Sequence, residues 1–456
     1  MNKIQDMHDW QCHPKAESLI MDVLEQCCMH NHKIHQLQQD LLRVTSTRLF
    51  DWLDHVIVGH SAQMEKDLEE CGFVALHATT TYRVFHHPGA QLPAVVVKDH
   101  APNILGIAVG VDSIADYLMV RGQATEIEGT PFSGYRRSCV STEQGISLWI
   151  VERRGTRIME PTYHEPPYLE KYFTAFEKWK TRTRDIENEN IAMTKTIALA
   201  EELVTLVGQD LAAWIVLECE REYWQSKNTA GQIQKNRQDR MGMGWANHDH
   251  HTFRSSRSRF SQLVRLFEIL GFHCRERYYT GKEAGWGAQI MEHNNSRLVL
   301  FLDVDLTPEE IEIDFAHQPL NETSHLGTIG LWTSLHGDSI LKSGMHHLEA
   351  QFMFEELTKD LAHSGIGMME PFSNFSYLRQ AFTAGEVWHV DPKRLTNLLE
   401  ANLITQEQFD KFSKYGAVGS HMENLQRREG FKGFNQKNVS QIIKKTDPRK
   451  LHVSQG

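Results

Sequence analysis

The sequence predicts an α+β protein built from tandem βαβββ modules that pair to form curled sheets, with a helical insert between two halves. Three observations carry this reading. A strand-like run, an amphipathic helix and further strand-like runs recur four times along the 456 residues. No proline occurs between Pro167 and Pro308, and residues 169–243 are rich in Glu, Lys, Ala, Leu and Gln with apolar residues at helical spacing. The chain also exceeds the length of one ordinary domain.

The elements follow in order. Residues 1–50 read as an N-terminal helical segment. LDHVIVGH at 53–60 reads as a strand, AQMEKDLEECGF as a helix stopped near Gly72, and TTTYRVFHH and PAVVVK as strands. The pattern restarts with NILGIAVGV as a strand and DSIADYLMVRG as a helix capped by Asp112 or Ser113 and stopped at Gly122. GYRRSCVST and GISLWIVERR then read as strands. Residues 169–243 are expected to form two or three long helices. A third copy opens with HDHHTFRS as a strand, followed by the helix RFSQLVRLFEILGF and the strands HCRERYY, WGAQIMEH and RLVLFLDVD. A less regular fourth copy comprises a strand at 325–334, a helix at 348–365 and a terminal strand at 419–424. The resulting division is 1–50 helical, 51–165 a pair of modules without metal, 166–246 a helical linker, 247–446 a metal-binding catalytic domain and 447–456 a flexible tail.

Composition narrows the function classes. No apolar run approaches the roughly 18 to 20 residues that span a membrane. The N-terminus lacks the apolar core of a secretory signal, so a cytoplasmic protein is expected. Seven scattered cysteines without C-x-x-C spacing read as reduced thiols. A net charge of −11 opposes broad attraction to nucleic acid, and 26 histidines invite a search for an imidazole-ligated metal.

Alternation in a strand places His248 and His250 on one face and His251 on the other. Arg254, four residues beyond His250, projects from the same side about 13 Å further along. A neutral imidazole binds Fe(II), Mn(II) or Zn(II), and a guanidinium holds a carboxylate bidentately, so one wall would carry a metal ligand and a substrate clamp. The competing reading is a polar turn followed by a surface arginine.

The runs DHHTFRSS at 249–256, SQLVRLFEILGF, LFLDVDLTPEEI and SHMENLQRREGFKGFNQKNVSQI at 420–442 resemble the 2-oxoadipate dioxygenase/decarboxylase (hydroxyglutarate synthase) family of the vicinal oxygen chelate superfamily. The resemblance covers about 190 residues and implies metal ligands at His250 and Glu423 and a substrate-carboxylate arginine at Arg254. For the middle ligand, His325 in SHLGTIGL is the nearest match, with His336 and His347 as rivals. The chain has no clean copy of that family motif. The resemblance further implies Fe(II), a small 2-oxo acid or amino-acid-like carboxylate as substrate, and O2, with oxidative decarboxylation and hydroxylation. No separate protein base is implied. A metal-dependent lyase or isomerase on the same scaffold, and a non-catalytic carboxylate-binding protein, are the alternatives.

The first half loosely resembles 4-hydroxyphenylpyruvate dioxygenases. There His55 fills a ligand position, but Gly106 and Leu148 stand where such enzymes would place a His, so a structural or regulatory half is expected. His86, His87, His164 and Glu152 read as solvated strand ends before ligands. Lys227, Lys235, Arg237 and Arg240 read as a solvated helix face, and Trp224 and Trp245 as core. No Walker loop, nucleophile elbow or dinucleotide fingerprint is present.

Overall fold

A computed structural model describes residues 9–99, 104–280, 285–435 and 447–450. The chain opens with helices α1 (Pro14–His30) and α2 (His32–Thr45), then β1 (Leu53–Gly59), α3 (Ala62–Glu70), β2 (Val74–Ala78), β3 (Tyr82–His86) and β4 (Ala94–Lys98). β5 (Ile104–Gly110), α4 (Ile114–Val120), β6 (Tyr135–Glu143) and β7 (Ile146–Arg153) follow. These strands form one sheet in the order β2-β3-β4-β1-β5-β7-β6. It is a complete βαβββ module and a module one strand short, joined through the antiparallel pair β1 and β5.

Four helices then intervene where two or three are expected: α5 (Pro167–Lys180), α6 (Glu189–Val207), α7 (Gln209–Gln225) and α8 (Thr229–Asp239). The extra breaks have local causes. Asn188 and Asn228 accept hydrogen bonds from backbone N–H groups of the first turns of α6 and α8, and Gly208 adopts φ +83° between α6 and α7.

The second half holds β8 (His248–Arg254), α9 (Phe260–Ile269), β9 (Phe272–Tyr279), β10 (Trp286–His293) and β11 (Val299–Asp305). Beyond α10 (Thr328–His336), the fourth module comprises β12 (His347–Gln351), α11 (Phe354–His363), β13 (Ser373–Asn374), β14 (Leu378–Phe382) and β16 (Ala417–Arg427). Between the last two lie β15 (Glu386–Trp388), α12 (Pro392–Glu400) and α13 (Gln406–Tyr415). The order β13-β14-β16-β12-β8-β11-β10-β9 makes two complete modules joined through antiparallel β8 and β12. The α+β fold is thus tandem βαβββ modules in two curled sheets, with a helical insert between the halves.

Two expectations in the fourth copy are corrected. Residues 325–334, expected as a strand, enter α10, because the Asp305 carboxylate at the end of β11 accepts the backbone N–H groups of Ile329 (3.0 Å) and Gly330 (2.8 Å) and so anchors a helix N-terminus. The expected helix over 348–365 is divided. Leu348 and Ala350 face the helical core while His347 and Glu349 face the opposite side, so this stretch alternates as a strand before α11 begins.

Each sheet buries its convex face under helices. Phe253, Leu300 and Leu348 pack with Val216 of α7 and Phe267 of α9 in the largest core, each such side chain stabilising the fold by about 1.5–3 kcal/mol. Val56, Ile107 and Leu148 pack with Ile20, Leu24 and Leu41 of α1 and α2. The concave faces are left for other purposes. Within the expected tail, Asp447 is buried and accepts from Thr328 Oγ1 (3.2 Å), and Arg449 donates to Leu326 O (3.3 Å). Residues 451–456 of that tail and 436–442 of the closing motif lie outside the described residues. No helix among the described residues is long and apolar enough to cross a membrane.

Candidate metal centre and carboxylate pocket

Three neighbouring strands set the site. His250 on β8 lies opposite Glu349 on β12, and Glu349 lies opposite Glu423 on β16; His347 precedes Glu349 by two residues and shares its face. One ligand atom from each of His250, His347 and Glu423 falls within 4.8 Å of the others, and all three side chains are buried. His347 Nε2 lies 2.9 Å from Glu423 Oε2. Asp249, His250 and Glu349 form an overlapping group within the same distance.

Of the sequence-predicted residues, the structure brings His250, Glu423 and Arg254 to one cavity and leaves His325 out. His325 is exposed in the segment before α10, whereas its rival His347 stands between the other two. His336 is buried in α10, where its Nε2 lies 3.2 Å from Val418 O, and it does not line the cavity.

The expected alternation on β8 also fails at one residue. A bulge at Asp249 sets His250 opposite Glu349 but His248 opposite Ala350, so His248 turns to the convex side, with its ring 5.2 Å from that of His251. The bulge frees Asp249 to accept from His250 Nδ1 (3.3 Å). Arg427 holds that carboxylate with Nε–Oδ2 and Nη2–Oδ1 contacts of 3.1 Å each. An imidazole tied back through Nδ1 presents Nε2 to an ion with a fixed tautomer. The Nδ1 of His347 is likewise engaged, 2.8 Å from His346 Nδ1. Sequence reasoning missed Asp249, Arg427 and Glu349. An acid immediately before a candidate ligand was the available sign.

Electrostatics suits a cation. Burial holds His250 and His347 below the ordinary histidine range, so both keep lone pairs. Burial pushes Glu423 up to about 8, and burial together with the Glu423 charge pushes Glu349 well above the usual range. Gln380 Nε2 donates to Glu423 Oε1 (3.1 Å) and Glu349 Oε1 (3.3 Å), and Glu349 touches His250 Nε2. Neutral imidazoles with clustered buried carboxylates are a donor set that divalent first-row metals take, so the residues fit Fe(II), Mn(II) or Zn(II).

The adjoining cavity measures about 60 Å³ and is lined by these three side chains, by Arg254, and by aromatic rings including Phe301, Phe382 and Phe434. At about 10–15 Å³ per water this is room for roughly four to six waters, the size of a small organic acid. Arg254 is 4% exposed, yet among the described residues its Nε and Nη1 have no hydrogen-bond partner. Asp303 Oδ2 stands 3.6 Å away, and the Trp332 ring centroid 5.5 Å. Thr252 Oγ1 and Trp286 Nε1, also on the cavity wall, likewise have no hydrogen-bond partner among the described residues. Buried donors without acceptors are costly, and here they surround a space that an anion can enter.

The first half repeats the scaffold without the donors. β1 bulges at Asp54 as β8 does at Asp249: His55 lies opposite Ala108, while Leu53 lies opposite Val109. Asp54 contacts His55 Nδ1 (2.6 Å) and pairs with Arg153 (Nη2–Oδ2 2.8 Å), four residues beyond Trp149, as Arg427 is four beyond Glu423. By register, His55, Gly106 and Trp149 occupy the positions of His250, His347 and Glu423. Leu148, expected at a ligand position, faces the helical core instead. A glycine and an indole offer no metal-binding side chain. Glu152 is paired with Arg136 and Arg154, and His164 stacks on Tyr168 (3.8 Å). Trp224 and Trp245 are core residues. Half-buried Lys227 donates to Ser343 O (2.7 Å), and Arg237 pairs with Asp360.

No family model matches this chain, and no curated protein does. Solved structures similar to it include a triple mutant of 4-hydroxymandelate synthase from Streptomyces coelicolor (11% identity, 88% of this chain and 99% of that one, TM-score 0.30). Others are methylmalonyl-CoA epimerase from Mycobacterium tuberculosis (11%, 40% and 89%, 0.23) and a putative hydrolase from Shewanella frigidimarina (13%, 54% and 97%, 0.28). Likenesses this slight carry no functional argument.

Proposed function

We propose that the protein is a non-heme Fe(II)-dependent oxygenase acting on a small 2-oxo acid or an amino-acid-like carboxylate, with oxidative decarboxylation. The observation that carries this reading is the sharing of one buried cavity by His250, His347, Glu423 and the guanidinium of Arg254, whose Nε and Nη1 have no hydrogen-bond acceptor among the described residues. His250 and His347 would hold the ion through Nε2 and Glu423 through its carboxylate. Bound there, Fe(II) supplies chelation of a 2-oxo acid and activation of O2. Arg254 binds the distal carboxylate through its guanidinium. Phe301, Phe382 and Phe434 keep water from the reacting end, and Gln380 orients Glu423. Asp249 fixes the His250 ring.

A metal-dependent lyase or isomerase is the second reading. It is favoured by Glu349, a further buried carboxylate against His250 that is suited to holding a proton. Oxygen consumption separates the two. Anaerobic Fe(II) reconstitution, elemental analysis and oxygen uptake on a panel of 2-oxo acids are expected to give one iron per chain and substrate-dependent uptake. His250→Ala, His347→Ala and Glu423→Ala should lose both, and His325→Ala neither. Uptake absent in the iron-loaded wild type removes the oxygenase, and iron retained in all three variants removes the site.

A further inference from the structure

A second cavity, of about 450 Å³, lies between the two halves. Its walls come from the ends of β1, β5 and β7 on one side and of β8 and β10 on the other, together with the closing segment after β16. Five carboxylates reach it, and each already has a partner. Asp51 pairs with Arg48 (2.6 Å), Asp54 with Arg153, Asp249 with Arg427, and Glu292 with Lys432 (3.2 Å) and Arg275 (3.5 Å), while Asp112 accepts from Trp245 N (2.6 Å). The cations are not balanced in the same way. Arg157, just beyond β7, and Arg297, between β10 and β11, also line the cavity, and neither makes a side-chain hydrogen bond or ion pair among the described residues. The Arg157 Nε is buried. Arg297 holds the left-handed conformation, φ +59°, which places it at a turn facing this space.

We infer that this cavity is a binding site for a small polyanion, a phosphoryl or polycarboxylate compound, gripped by Arg157 from the first half and Arg297 from the second. Two guanidiniums that no carboxylate of the described residues pairs face the same deep cavity, and a ligand with two or more anionic oxygens would pair with both. Burial and the charges of Arg157, Arg297 and Lys432 hold His86 low, and among the described residues its buried Nδ1 has no hydrogen-bond partner. The volume lies within the range of small-molecule sites, roughly 300–1,000 Å³. The site is distinct from the Arg254 pocket, and its existence does not depend on the metal chemistry. It also gives the first half, bare of metal ligands, one wall of a working site.

Calorimetric titration of the full-length protein with inorganic phosphate and, separately, with glutarate tests this. At least one probe is expected to bind saturably, and the probe that binds identifies the class. In an Arg254→Met background, which removes the carboxylate clamp of the other pocket, Arg157→Gln combined with Arg297→Gln should weaken binding by roughly tenfold or more. If the double variant does not fold, Arg297→Gln alone, at an exposed turn, carries the comparison. Absence of binding by both probes overturns the inference. So does binding that the arginine variants leave intact, or binding that Arg254→Met abolishes.

Discussion

Replacing Arg254 by Met is the sharpest probe of the carboxylate pocket, because binding and stability should respond differently. In the substrate-free protein Nε and Nη1 lack acceptors, so the side chain is held ready at a cost. A substrate carboxylate would complete two charge-assisted hydrogen bonds of about 1.5–3 kcal/mol each, and losing both costs about 3 kcal/mol or more, roughly a hundredfold in Kd. Removing one member of a buried ion pair usually destabilises by leaving a charge behind. Asp303, however, is pushed up to about 7 by burial against the pull of Arg254, so below neutrality it can take a proton and stay uncharged. Anaerobic titration of the metal-loaded protein with its preferred 2-oxo acid, alongside thermal denaturation at pH 6.5, should therefore show a large loss of affinity with little change in Tm. Arg254→Lys, which keeps the charge but not the fork, should fall between. Affinity for Arg254→Met within about threefold of wild type would refute the reasoning, since even one lost charge-assisted bond exceeds that.

The same pair predicts a pH dependence. The folded value of Asp303 lies above its ordinary 3.8, so its contribution to stability is fully present below that range and is lost as pH rises through about 7. An ionised Asp303 also competes for Arg254, so substrate Kd should rise through pH 7, and Asp303→Asn should flatten both profiles. Glu349→Gln removes one of two neighbouring buried carboxylates. The metal-free variant should melt higher than wild type, and elemental analysis should still find one metal per chain. Loss of the metal would instead put Glu349 among the ligands.

Much of this architecture is written in local pattern. Period-two runs around LDHVIV and HDHHTF and the 3.6-period helices between them mark both halves, and β8, α9 and β11 lie where the sequence puts them. The fourth module was harder because its cues are non-local. Thr328 begins a helix through a carboxylate contributed by β11, and HLEAQ is a strand because β8 and β16 flank it. The middle ligand shows the same limit. His325 sits in the better-matching string, but which histidine meets His250 is decided by the pairing of β12 with β8. Asp249 escapes the sequence for a related reason: strict alternation aims it away from the cavity, and only the bulge turns it toward His250.

Gly106 bears on how the two halves could have diverged. It takes φ +145°, and a Cβ there would stand 2.0 Å from the Ser147 carbonyl oxygen. β7 has closed over the place that corresponds to His347. Restoring a histidine would require parting two hydrogen-bonded strands at the same time, so no single codon change leads back to a second metal centre. Selection on the first half is consequently free to act on other properties, among them the surface it turns toward its sister.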